Sequence, residues 1–235
     1  MKDMSSSEEI ILAIDCGTQS VRAVLTDLSG NILEIVKTEI EPYFSTGPGM
    51  AEQQPEYFRD KMYETLKKLF SETVYGKERI KAVTITTQRS TLVNLDREGK
   101  SLRPAISWLD QRQVSPGKYP GKLMQLALRV VGMREAVIYT VKNGECNWLM
   151  QNTPDIWEKT DKYLFLSGYL TYILTGEFTD SIGCTVGYMP FDYKKQEWAS
   201  ESHMNFKMFP VARERLPRLV KPSEILGYIS REASD

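Results

Sequence analysis

Residues 10–27 read IILAIDCGTQSVRAVLTD. The first five, 10–14, form a short apolar run, read as a buried strand. Residues 20–27 form a second run that contains the β-branched Val21 and Val24. Between the runs lie Asp15, Cys16, Gly17, Thr18 and Gln19, which leave room only for a tight turn. The chain therefore makes a strand, reverses, and lays a second strand beside the first. Thr18, Gln19 and Ser20 can each donate a hydrogen bond at the reversal, and Gly17 lets the backbone approach a ligand closely. Consecutive turn N–H groups suit phosphate oxygens. An acid such as Asp15 can hold a hydrated Mg²⁺ against those oxygens. Taken alone, the stretch reads equally well as a hairpin with a polar turn.

Composition narrows the class. The 235 residues suffice for one large domain or two small ones. A hydrophobic share of 41% and a charged share of 26% are ordinary for a globular protein. The formal net charge of −1 provides no global basic field for nucleic acid or an anionic membrane. No apolar run approaches the ~20 residues of a membrane span. The opening MKDMSSSEE is polar, so residues 1–9 read as a disordered leader and not as a signal peptide. Cys16, Cys146 and Cys184 are odd in number and form no CxxC pair, which fits a reducing, cytoplasmic setting without a cysteine zinc site. With His203 as the one histidine, a Ser-His-Asp mechanism is disfavoured.

Working outward from the hairpin, Ser29, Gly30 and Asn31 form a turn and residues 32–36 a third strand, so the opening is a three-stranded meander. Phe58, Met62, Leu66, Leu69 and Phe70 recur at helical spacing, and Pro55 stands near the start, so residues 54–72 read as an amphipathic helix. Residues 80–86, 91–95 and 105–108 read as strands, with a turn at Arg97, Glu98 and Gly99. Strands with interposed helices indicate an α/β sheet of mixed direction, in which ligands meet loops at strand ends. The first turn and the run Thr87, Gln88, Arg89, Ser90 are such loops. From Gln111 onward the pattern is mostly helical: 123–131 ending at Gly132, 146–151, and 163–174 with Gly176 as its C-terminal glycine. Residues 179–185 read as a polar loop, 194–201 as the start of another helix, and 226–229 as a strand. Arg213, Arg215, Arg218 and Lys221 read as a solvated face and His203 as a surface residue.

Several stretches together resemble the FGGY family of carbohydrate kinases, within the actin-like/Hsp70-like ATPase fold. Asp15-Cys16-Gly17-Thr18-Gln19-Ser20-Val21-Arg22 resembles the family's first phosphate loop. Gly49 to Pro55 resembles the G-x-x-E-x-x-P before its first long helix. Gln88-Arg89-Ser90 and Trp108-x-Asp110-x-Arg112 resemble its Q-x-x segment and W-x-D-x-R motif. Trp148-Leu149, Leu174-Thr175-Gly176, Thr179-Asp180-Ser181 and Ser223 to Gly227 continue the series in order.

The resemblance implies an RNase H-like α/β domain over residues 10–235, with a mixed sheet flanked by helices and a mostly helical insertion. It implies ATP and Mg²⁺ as cofactors and transfer of a phosphoryl group to a sugar or polyol hydroxyl. Asp15 would sit near Mg²⁺; Thr18, Gln19, Ser20 and Arg22 would touch or border the ATP phosphates. Gln88, Arg89 and Ser90 would line the acceptor pocket, Trp108 would wall it, and Asp110 would shape it with Arg112. Glycerol-phosphorylating relatives carry Arg-Glu at the Arg89-Ser90 pair and a substrate-binding Tyr near Thr140, where this chain has Tyr139; relatives acting on xylulose carry Met-His at the pair. The shorter Ser90 leaves room for an acceptor larger than glycerol. The family's general-base Asp is expected beyond residue 235, as is a C-terminal domain that holds adenosine, so the chain alone is expected to be inactive. An exposed apolar face, normally covered by that partner domain, is expected to drive association, including with a second copy. Two other classes stay open: an actin-like-fold ATPase without a sugar substrate, and a non-catalytic sugar-binding or regulatory protein. The kinase reading fails if Asp15 and Gln88 lie on opposite sides of the molecule with no cleft joining them.

Overall fold

The computed structural model describes residues 9–115 and 121–234; apart from Glu9, the leader expected over residues 1–9 lies outside them. The chain falls into two compact units, Met1–Phe44 with Gln54–Gln88, and Ser45–Gln53 with Arg89–Asp235.

The first unit begins with the expected meander: β1 (Ile10–Cys16), β2 (Ser20–Asp27) and β3 (Ile32–Glu39). After β4 (Glu52–Gln53), which belongs to the second unit, come α1 (Pro55–Glu72) and β5 (Ile80–Thr87). The sheet order is β3-β2-β1-β5; the meander pairs are antiparallel and β5 runs parallel to β1. Alternation along β1 sends Ile10, Leu12, Ile14 and Cys16 into the core and leaves Ile11, Ala13 and Asp15 half-buried on the other face. Helix α1 packs on β1, β2 and β3. It starts at Pro55, whose missing N–H costs nothing there, and buries Phe58, Met62, Thr65 and Leu69 at spacings of one helical face. Full burial of Phe58, Met62 and Leu69 stabilises the unit by roughly 1.5–3 kcal/mol each.

The second unit carries a four-stranded antiparallel sheet of order β4-β7-β6-β8, made with β6 (Leu92–Leu95), β7 (Ala105–Ile106) and β8 (Lys162–Phe165). Around it lie α2 (Lys122–Val130), α3 (Arg134–Lys142), α4 (Glu145–Asn152), α5 (Pro154–Lys159) and α6 (Leu166–Thr175). A second half follows: β9 (Thr179–Ser181), β10 (Phe191–Asp192), β11 (Glu197–Trp198), α7 (Met204–Met208), β12 (Arg218–Val220) and α8 (Arg231–Ser234). Leu92, Ile106, Cys146, Leu149, Tyr163, Phe165, Phe191 and Trp198 share one buried core.

Several expectations for this half are corrected. Residues 163–174 are not one helix: β8 pairs with β6 before α6 begins at Leu166. A run that is apolar on every face has the same pattern in either state, and the pairing partner decides. Residues 179–181 form a strand parallel to β12, not a loop. Residues 194–201 hold no helix; β10 and β11 form a hairpin in which the Asp192 carboxylate accepts the Lys194 and Lys195 N–H groups. No strand forms at 226–229, and the strand expected over 105–108 stops at Ile106. Arg213, Arg218 and Lys221 are exposed as expected, while Arg215 is half-buried, donating to the Trp157 carbonyl and stacking on the Trp157 ring at 5.0 Å. His203 caps α7, its Nδ1 accepting the Asn205 N–H. Gly176, at φ +75°, ends α6 as expected.

Two buried polar groupings hold the second unit. In the first, Glu52 of β4 takes both Arg103 and Arg112, the latter at 2.8 Å, and Arg112 Nη2 also reaches Asp110 Oδ2 at 2.7 Å. All four side chains are under a tenth exposed. In the second, the Asp180 carboxylate accepts Ser167 Oγ–H and its neighbour's Ser181 N–H, each at 2.8 Å, with further donation from the Cys184 thiol and the Gly168 N–H. Ser167 and Gly168 lie in the first turn of α6, where a negative charge is favoured. Burial nevertheless outweighs these donors and raises Asp180 to about 6.

Each grouping generates a prediction. Arg112→Ala leaves two buried carboxylates short of their shared cation and is expected to cost about 3–5 kcal/mol, read as a lower urea midpoint; Arg112→Lys, without the planar fork, should recover only part of the loss. For Asp180, the folded value near 6 lies above the ordinary 3.8, so the native state holds the proton more tightly. That contribution is full below about pH 4 and is lost as pH rises through about 6. Asp180→Asn should flatten this fall in unfolding free energy by roughly 1–3 kcal/mol, measured by chemical denaturation across the same range.

Candidate active site

In the first unit, the β1–β2 turn is closed by Gly17 N–H donating to the Ser20 carbonyl at 3.0 Å. Thr18 is half-buried and Gln19 exposed, while Ser20 is 3% exposed and belongs largely to the interior. Asp15 and Arg22 are cross-strand partners, which puts both on the half-open face, and Arg22 Nη1 donates to Asp15 Oδ2 at 2.9 Å. Lys37 follows Arg22 in register on β3, so one acid is followed by two cations along the row.

On the other side of β1, the Gln88 N–H donates to the Cys16 carbonyl at 2.9 Å and carries the parallel ladder one residue past β5. Asp15, the turn and Gln88 thus lie together at the carboxyl ends of two parallel strands. The Gln88 side chain is buried, and neither its amide oxygen nor its amide nitrogen has a hydrogen-bond partner. A buried amide left this way costs about 1–3 kcal/mol.

In the second unit, Arg89 is exposed and Ser90 half-buried with φ +50°, a left-handed conformation uncommon outside glycine. Trp108 is 50% exposed on the turn closed by Asp110 N–H donating to the Ser107 carbonyl. Asp110 itself is fully engaged. Its Oδ1 accepts from Arg112 N and Nε, both at 2.8 Å, and its Oδ2 from Ala51 N and Arg112 Nη2, both at 2.7 Å. With every good acceptor direction taken, Asp110 shapes the loop that displays Trp108 and has none left for a ligand. The Arg112 guanidinium lies 4.5 Å over the Trp148 ring.

The sequence reading missed Glu145, at the start of α4. Burial first, and the Asp110 carboxylate second, hold its carboxyl well above the usual range. The Tyr163 hydroxyl, deeply buried and raised by burial and by Glu145, has no hydrogen-bond partner. An acid in the first turn of a helix is commonplace, so nothing in the local sequence marks Glu145. Tyr139, noted beside Thr140, stands exposed on α3.

Residues 10–235 match the model of the FGGY family of carbohydrate kinases, N-terminal domain. A glycerol kinase of Thermococcus onnurineus (strain NA1) is 28% identical over 230 residues, 96% of this chain and 45% of the relative. A xylulose kinase of Lactococcus lactis subsp. lactis (strain IL1403) is 26% identical over 226 residues, 96% of this chain and 44% of the relative. The crystal structure of gluconate kinase from Lactobacillus acidophilus superposes with a TM-score of 0.75 at 21% identity, covering 97% of this chain and 45% of that one. The last likeness shows the fold, that of the actin/Hsp70-type ATPases. The chain spans about half the length of the curated relatives it matches. By its match from Ile10 to its last residue, the chain belongs to the FGGY family of carbohydrate kinases, as an N-terminal domain.

Proposed function

We propose that this chain supplies the phosphate-binding turn and the acceptor-binding residues for ATP-dependent phosphorylation of a sugar or polyol hydroxyl. Such transfer depends on positioning and charge neutralisation more than on covalent chemistry. The turn at 17–20 offers the Thr18 and Gln19 side chains to phosphate oxygens, with Arg22 nearby. Mg²⁺ commonly binds through one or two carboxylates, retained waters and substrate phosphates, so the half-exposed Asp15 fits as its one protein ligand. When bound, the metal would neutralise phosphate charge. Among the described residues no three acidic, histidine or cysteine side chains converge on a dedicated metal cage. Arg89, Ser90 and Trp108 fit the acceptor, with Asp110 and Arg112 fixing the Trp108 loop.

The observation that carries this reading is Gln88. A buried, unpartnered amide beside the phosphate turn is explained by a polar occupant such as a hydroxyl-bearing acceptor. A cytoplasmic setting belongs to the same reading and is supported by three free cysteines. Association, with a further domain or a second copy, is supported by exposed Val130, Met133 and Tyr139.

Two outcomes follow. A thermal-shift panel of pentuloses, hexuloses, aldoses and polyols on the 235-residue chain should reveal protection by at least one, and Gln88→Ala should abolish it. Protection grows as the logarithm of ligand over Kd, about 2.7 kcal/mol at a hundredfold excess. A flat panel would sink the acceptor assignment. The chain alone should release no ADP above background in a coupled assay, since it spans under half of its relatives; robust turnover would overturn that expectation.

A further inference from the structure

The segment after β9 passes near the Arg89–Ser90 turn and packs against it at Gly187. Cys184 lies within electrostatic reach of Arg89. Gly187 faces Ser90 so closely that a Cβ built on it would stand 2.6 Å from Ser90 Oγ, nearer than such atoms approach. Both residues of this contact have left-handed backbones, Gly187 at φ +100° and Ser90 at φ +50°. Conformations of this kind cost of order 1–3 kcal/mol for a residue with a side chain and gather at functional sites.

The segment is anchored at both ends. At its root, Asp180 binds Ser167, and Thr185 Oγ1 donates to the Ile182 carbonyl at 2.5 Å. At its far end, the Tyr188 ring packs on Phe209 with centroids 5.8 Å apart. Anchored so, it cannot withdraw to make room for a side chain at 187, and Ser90 would have to move instead.

We propose that Gly187 is a specificity-determining residue, which sets the size of acceptor accepted at the Arg89–Ser90 turn by letting Ser90 lie back against the 182–188 segment. The proposal rests on the acceptor assignment made above. Glycine at 187 keeps the Ser90 hydroxyl withdrawn and favours an acceptor longer than a three-carbon polyol. Any larger residue there drives Ser90 forward and shortens the site.

The test is calorimetric titration of the 235-residue chain with glycerol and with xylulose. Gly187→Ala should weaken xylulose relative to glycerol by roughly tenfold, the scale of one methylene in a fitted pocket. Adding Ser90→Gly to Gly187→Ala should restore the original ratio. Should Gly187→Ala fail to fold by circular dichroism, Ser90→Asn decides, because asparagine tolerates positive φ and fills the same contact from the other side; it should reproduce the loss. An unchanged ratio in a folded variant overturns the role of Gly187 while the acceptor assignment stands. Binding of neither compound by the unaltered chain overturns both.

Discussion

The parallel pairing of β1 with β5 is the constraint on which the candidate phosphate site depends. Antiparallel neighbours alone would put the β1–β2 turn at a sheet corner with nothing beside it. A parallel strand must return over the sheet through a crossover, and α1 is part of that return. The pairing then brings the end of β5 level with the end of β1, so Gln88 follows the ladder into place beside the turn. The fall of Phe58, Met62 and Leu69 into the core is therefore what positions a polar side chain at the other end of the unit.

The second unit sets buried charge beside its apolar core. Its strands are short, β4 and β7 having two residues each. Ladder bonds alone would hold such pieces poorly, and Glu52 ties β4 to the loops on both sides of β7 through Arg103 and Arg112. Buried ion pairs of this kind contribute little net stability against an apolar alternative but fix geometry when intact. The loop that displays Trp108 inherits its shape from that network. Asp180 acts in the same way at a second place, joining the first turn of α6 to the segment that leads to Gly187.

Much of this was legible in residues 10–95. Alternation in β1, the helical spacing from Phe58 to Phe70, and turn residues at Ser29 and Gly30 each report a local rule, and the rules agree. The motif series orders Asp15, Gln88, Trp108 and Arg112 along the chain. Beyond residue 160 the local signals conflict or fall silent. Residues 163–165 are strand because Leu92 to Leu95 lie opposite, a fact about another part of the chain. The β10–β11 hairpin has no glycine in its turn; Gln196 takes the left-handed position at φ +57° that glycine usually marks. Asp110 was expected as a site residue, and its saturation by Ala51 and Arg112 was not legible, since 59 residues separate it from Ala51. Glu145 and Gly187 matter through what faces them across the fold, and a linear pattern records no such facing.

Burial of one thiol in each unit has an experimental consequence. Cys16 closes β1 with no exposed surface, and burial with Asp15 beside it pushes its thiol up to about 12; Cys146 in α4 is equally covered and raised by burial and by Glu145. Alkylation needs the thiolate and access to it, so neither sulfur reacts until its surroundings open. The pair thus works as two native chemical clocks, Cys16 timing the opening of the first unit and Cys146 that of the second, without any introduced label.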